Sequence, residues 1–169
     1  MEPSIGRAKM ASDWMDDLIQ QSNKRQSEAS ERRRQALAGQ NKLLRLAAPI
    51  WQQIEEQLLN RVEAFNARVR SRCTIQIMPK PDDFTLKLKS GCIPYPFLVR
   101  FTPEAGALTY GTERLCVGKQ GWLTIRVGEE TPYTIERNTQ LGKTVQVPFE
   151  ALDELVLKDL FEQIIGSVP

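Results

Sequence analysis

The sequence predicts an α+β fold, and three observations carry that prediction. Apolar residues recur at helical spacing from Leu43 to Val69, at alternate positions from Cys73 to Val147, and at helical spacing again from Phe149 to Ile165. The expected order is a long N-terminal helix, an antiparallel β-meander of five to seven strands, and a C-terminal helix packed on one sheet face. A length of 169 residues suits one domain with an appendage. The division expected is residues 1–41 as a basic, polar, helical arm or tether, and residues 42–169 as a single α+β domain.

Residues 10–19 read as a short amphipathic helix, with Ser12 as its N-cap and Trp14, Met15, Leu18 and Ile19 on one face. Residues 20–41 hold almost no apolar side chains, so they form a solvated helix or a flexible tether. From Leu43 the stripe Leu43, Ala47, Ile50, Ile54, Leu58, Val62, Phe65 and Val69 advances by 4, 3, 4, 4, 4, 3 and 4 residues. Trp51 widens it, and Pro49 either kinks the helix or opens a second one. The mean spacing of about 3.7 departs from the 3.5 of a left-handed coiled coil, which favours packing on a sheet.

After Arg72 the period becomes two. Cys73, Ile75 and Ile77 alternate with Thr74 and Gln76, and Phe84, Leu86 and Leu88 alternate with Thr85, Lys87 and Lys89. Phe97, Val99 and Phe101 follow, then Leu108 and Tyr110, Leu115–Val117, Leu123–Val127, Tyr133–Arg137 and Thr144–Val147, separated by turn-forming residues. One apolar face per strand marks an antiparallel sheet with one side wetted. The last helix runs from Phe149 to Ile165. Phe149, Leu152, Val156, Leu160 and Ile164 form its stripe, broadened by Leu155, Leu157, Phe161 and Ile165. Pro148 precedes it and Gly166 ends it.

Composition excludes several kinds of chemistry. The chain has no histidine, which removes Ser/His/Asp and Cys/His catalysis and the commonest metal ligand. Cys73, Cys92 and Cys116 are odd in number and widely spaced, so free thiols in a cytoplasmic protein are expected, with Cys73 a buried core thiol. Asp13, Asp16 and Asp17 interrupt any secretory apolar run, and no stretch is apolar enough to span a membrane. Leu141-Gly142-Lys143-Thr144 resembles the end of a phosphate-binding loop, but Arg137 stands where the motif needs glycine and a strand follows instead of a helix, so it reads as a hairpin turn. The adjacent acids Glu55-Glu56, Asp82-Asp83 and Glu129-Glu130 read as solvated pairs. Neither an enzyme nor a cofactor or metal requirement is expected.

Two features of the arm bear on partners. Trp14, Met15, Leu18 and Ile19 form an apolar anchor set suited to a groove on a protein partner, to the protein's own core or to a twin subunit. Lys24, Arg25, Arg32, Arg33 and Arg34 form the alternative, a basic nucleic-acid-binding segment, supported by a net charge of +5 over residues 1–81 against −3 over residues 82–169. The segment lacks aromatic side chains for base stacking and the apolar face an interfacial membrane helix needs. The function expected is a non-enzymatic protein-binding or assembly module. The alternatives are a nucleic-acid accessory protein with a basic arm, and an enzyme or small-ligand carrier using the open sheet face.

Overall fold

The computed structural model describes residues 5–113, 121–128 and 133–167, with side chains from residue 13 onward. It has the expected α+β order: a long helix, a seven-stranded antiparallel sheet and a C-terminal helix. The chain divides into two compact units, Met1–Ala38 and Gly39–Pro169.

Helix α1 is Ile5–Asn66, so residues 20–41 are helical rather than a tether, and Ser12 lies inside the helix rather than at its N-cap. No glycine or proline occurs between Arg7 and Ala38, and Lys, Arg, Gln, Glu and Ala there all favour helix. Helical geometry also continues through Pro49, without the break that was one of two expectations. Proline leaves the Arg45 carbonyl without its intrahelical donor, and both residues lie on the exposed face, where that carbonyl is open to solvent. The helix ends at Asn66, before Val69, because the chain turns there. The Val69 amide bonds back to the Phe65 carbonyl, and a 3-10 turn at Ser71–Cys73 follows.

The strands are β1 (Ile75–Ile77), β2 (Thr85–Ser90), β3 (Phe97–Thr102), β4 (Ala107–Thr112), β5 (Gly121–Arg126), β6 (Thr134–Asn138) and β7 (Thr144–Val147). Each pairs antiparallel with the next, in a pure meander. Register places the apolar residues on one face: Leu86 opposite Val99, Leu88 opposite Phe97, Phe101 opposite Leu108, Leu108 opposite Leu123, and Ile125 opposite Ile135. These side chains share one core with Leu43, Ala47, Ile50, Trp51, Ile54, Leu58 and Val62 of α1. Helix α2, Leu152–Gly166, completes that core with Leu152, Val156, Leu157, Leu160 and Ile164, and is preceded by a 3-10 turn at Phe149–Ala151. Ile165 is exposed, so it does not broaden the stripe as expected.

Three further expectations are corrected. Cys73 lies in the 3-10 turn and not on a strand, and Ile77 is exposed instead of sharing the buried face with Ile75. Cys73 and Cys92 are joined by a disulfide rather than being free thiols. Their separation of 19 residues hides an adjacency that the hairpin creates. Pairing of Ile75 with Ser90 sets each cysteine two residues beyond the pair, with 5.2 Å between the Cα atoms, inside the range a disulfide requires. Cys116, the strand expected at Leu115–Val117, and Glu129-Glu130 lie outside the described residues. The hairpin reading of Leu141–Thr144 holds: Gly142 has φ of 72°, its amide bonds to the Thr139 carbonyl, and Asn138 pairs with Thr144. Among the described residues no helix is long and apolar enough to cross a membrane.

Candidate functional site

The first unit carries both residue sets singled out from the sequence. Trp14, Met15, Leu18 and Ile19 are each between 52% and 55% exposed. At 3.6 residues per turn they fall within an arc of about 140° of the helix surface, so they form one apolar face. Asp13, Asp16 and Asp17 are exposed beside them and keep the rest of this turn polar.

The basic residues are arranged differently. Consecutive helical positions lie about 100° apart, so Arg32, Arg33 and Arg34 fan around the helix instead of forming a stripe. Glu31 accepts hydrogen bonds from Arg34 Nη2 at 3.0 Å and from Gln35 Nε2 at 3.1 Å, which neutralises part of the cluster. Lys24 and Arg25 stand two turns earlier, exposed like the rest. Lys24, Arg25 and Arg32 fall within an arc of about 100°, while Arg33 and Arg34 point away from it, so the five cations do not all converge on one line of phosphates.

The second unit offers three surfaces that the sequence did not single out by residue. One is the open sheet face, where Arg100, Thr109 and Trp122 lie in register across β3, β4 and β5, with Trp122 exposed. Three of its cations are paired: Lys87 with Glu113 at 3.1 Å, Arg126 with Glu136 at 2.7 Å, and Arg100 with Asp82 at 4.0 Å, while Lys89 is exposed and in no ion pair among the described residues. The second is a notch of about 380 Å³ where the ends of α1 and α2 meet. Phe65 and Phe161 stack there with centroids 4.2 Å apart, flanked by Val69, Ile165, Arg61 and Arg68. Arg61 Nε binds the buried Asp153 carboxylate, which also accepts from Gln57 at 3.4 Å and caps the amide of Glu154 at 2.9 Å.

The third is a groove of about 1020 Å³ between the β6–β7 hairpin and α2. Its sheet wall is Arg137, Val145 and Val147, and its helix wall is Glu154, Leu155, Lys158, Asp159 and Glu162. The Tyr110 ring closes its floor by lying over Gly121, where an added Cβ would fall within 1.9 Å of the ring. Burial raises the Tyr110 hydroxyl above its ordinary pKa of 10.0, with Arg137 opposing that rise and Asp159 adding to it.

Of the adjacent acids read as solvated pairs, Asp82 and Glu55 hold structure instead. Asp82 Oδ1 accepts from the Phe84 amide at 3.1 Å and from the Thr85 hydroxyl at 2.6 Å, which fixes the turn into β2. Glu55 is paired with Lys80. Cys73 is fully buried and engaged in the disulfide, so it presents no thiolate. Among the described residues no group of three His, Cys, Asp or Glu side chains is placed to hold a metal ion. No protein-family model, curated protein or solved structure matches the chain.

Proposed function

We propose that the protein is a non-enzymatic binding or assembly module whose N-terminal helix presents an apolar face to a groove on a protein partner. The observation that carries this reading is the shared exposure of Trp14, Met15, Leu18 and Ile19, a set with the i, i+4, i+5 spacing of a helix-in-groove anchor. An exposed apolar cluster of this kind costs solubility and is retained where a partner covers it. The basic residues that follow add long-range attraction to an acidic rim around such a groove. A cytoplasmic location is part of this reading. The redox state of Cys73 and Cys92 in protein isolated from its native cells tests it, since a free pair fits a reducing compartment and an intact bond an oxidising one.

The deciding experiment captures the partner with the full chain, compares a chain lacking residues 1–38, and then measures affinity by calorimetry. Trp14→Ala weakens binding about 30-fold, because a tryptophan anchor is worth about 2 kcal/mol. Replacing Arg32, Arg33 and Arg34 together with Gln has a smaller effect, confined to low salt. The opposite ranking, with steep salt dependence and a nucleic acid as the captured partner, would replace this reading by the basic-arm alternative. Light scattering that shows a dimer dissociated by Trp14→Ala would make the partner a second copy of the chain.

A further inference from the structure

The two edges of the sheet are finished in different ways. In β1 the main-chain groups of Ile75 and Ile77 point outward, because the Met78 amide, one residue past the strand, bonds inward to the Lys87 carbonyl of β2. Asn66, the last residue of α1, seals half of that edge. Its side-chain amide donates to the Ile75 carbonyl at 2.9 Å and accepts from the Ile75 amide at 2.7 Å. At β7 no such seal exists among the described residues. The Thr139 amide bonds to the Lys143 carbonyl, so Val145 and Val147 bond inward to β6, and Thr144 and Gln146 direct their N–H and C=O groups outward. β7 has no residue in the buried class, and Val145 is half exposed.

The open edge borders the groove. A strand laid beside β7 would send alternate side chains between the hairpin and α2, past Val145 and Leu155. On the helix wall, Glu154, Asp159 and Glu162 outnumber Lys158, and none of the four is in an ion pair among the described residues, whereas Lys87, Arg100 and Arg126 of the open sheet face are each paired; the facing wall carries one cation, Arg137. We propose that the β7–α2 groove binds an extended peptide segment of a protein partner by strand addition, and that the segment carries lysine or arginine at alternate positions facing α2. Main-chain bonds to Thr144 and Gln146 supply affinity, and the acidic wall supplies specificity. This surface is independent of the N-terminal helix face.

The test selects from a random octapeptide phage library on the immobilised full chain, then titrates the enriched peptides in synthetic form. Enriched sequences should carry basic residues at alternate positions, and binding should shift the backbone amide resonances of Thr144 and Gln146. Gln146→Pro removes an outward donor without touching the β6 ladder and should weaken binding about ten-fold. The triple variant Glu154→Gln, Asp159→Asn, Glu162→Gln changes two exposed side chains and one partly buried one; with an unfolding midpoint close to that of the parent, it should weaken the basic peptides about ten-fold or more while flattening their salt dependence. No enrichment, enrichment of acidic or patternless sequences, or affinity indifferent to both variants would overturn the proposal. So would a dimer by light scattering in which the Thr144 and Gln146 amides are already protected from exchange, since a second copy would then fill the edge.

Discussion

Trp14 and Trp51 stand on the same helix and in the same kind of apolar stripe, yet Trp14 is 55% exposed and Trp51 is 3% exposed. Leu18 follows the first tryptophan at helical spacing, and Ile54 and Leu58 follow the second. Their periodicity is equivalent; their surroundings are not. Ile54 and Leu58 meet the inward residues of β2 to β6 and the buried stripe of α2 in one core. The comparison teaches that a helical stripe specifies which face is apolar, while burial depends on residues far along the chain. For Trp51 those residues exist within the chain, and for Trp14 the proposal above assigns them to a partner.

The largest test of this contrast is truncation on each side. Leu58 and Leu160 are fully buried, so Leu58→Ala and Leu160→Ala should each cost about 2–5 kcal/mol in denaturant titration. Leu18→Ala should change stability by less than about 0.5 kcal/mol, as exposed substitutions do. Deleting residues 1–38 should leave the second unit unfolding cooperatively with an unchanged midpoint. A large loss on deletion would show that the first unit contributes to the core after all.

The Cys73–Cys92 bond sharpens the same contrast, because it lies entirely within the second unit. Closing a loop of 19 residues restricts the unfolded chain, and the loss expected on replacing both cysteines with Ser is about 3 kcal/mol in the chain-entropy picture. Non-reducing peptide mapping should recover the two cysteines in one linked fragment. Equal stability of the reduced and oxidised proteins would mean that the hairpin register alone holds this corner.

How much of this was legible in the sequence follows from how local each signal is. The inner stripe of α1, the stripe of α2 and the alternation of β2 to β6 are one-dimensional patterns, and each maps onto a buried face. The disulfide was not legible, since it depends on the pairing of Ile75 with Ser90, which spacing does not reveal. Nor was the exposure of Ile77, because alternation says nothing of where a sheet runs out of cover. The β7–α2 groove escaped for a related reason. Arg137 and Val145 pair on the core side of the sheet, where the apolar face gives way to a charge, and only the fold brings them opposite Glu154 and Asp159. The polar run of residues 20–41 left helix and tether open, and the absence of Gly and Pro from residues 20–38 was the signal that favoured helix.

The smallest expected effect is a pH dependence at the inner half of α1. The Tyr133 hydroxyl donates to Gln53 Oε1 at 2.7 Å, tying the helix to the segment that enters β6. Burial raises the Tyr133 pKa above the ordinary value of 10.0, because partial loss of water disfavours the phenolate. In the unfolded chain that burial is absent, so above pH 10 the folded protein holds this proton more firmly than the unfolded one. The stabilisation is therefore fully present below the unfolded pKa and is lost as pH rises through the folded value. Tyr110, raised by burial, Arg137 and Asp159 acting in opposite senses on it, contributes with the same sign. At neutral pH Tyr133→Phe should cost no more than about 1 kcal/mol, the worth of one partly exposed hydrogen bond. Between neutrality and the alkaline side of pH 10, its stability should fall less steeply than that of the parent chain, and Trp14→Ala should leave the parent slope unchanged. Parallel slopes for Tyr133→Phe and the parent would remove the phenol from the set of contacts that distinguish the buried half of the helix from the exposed one.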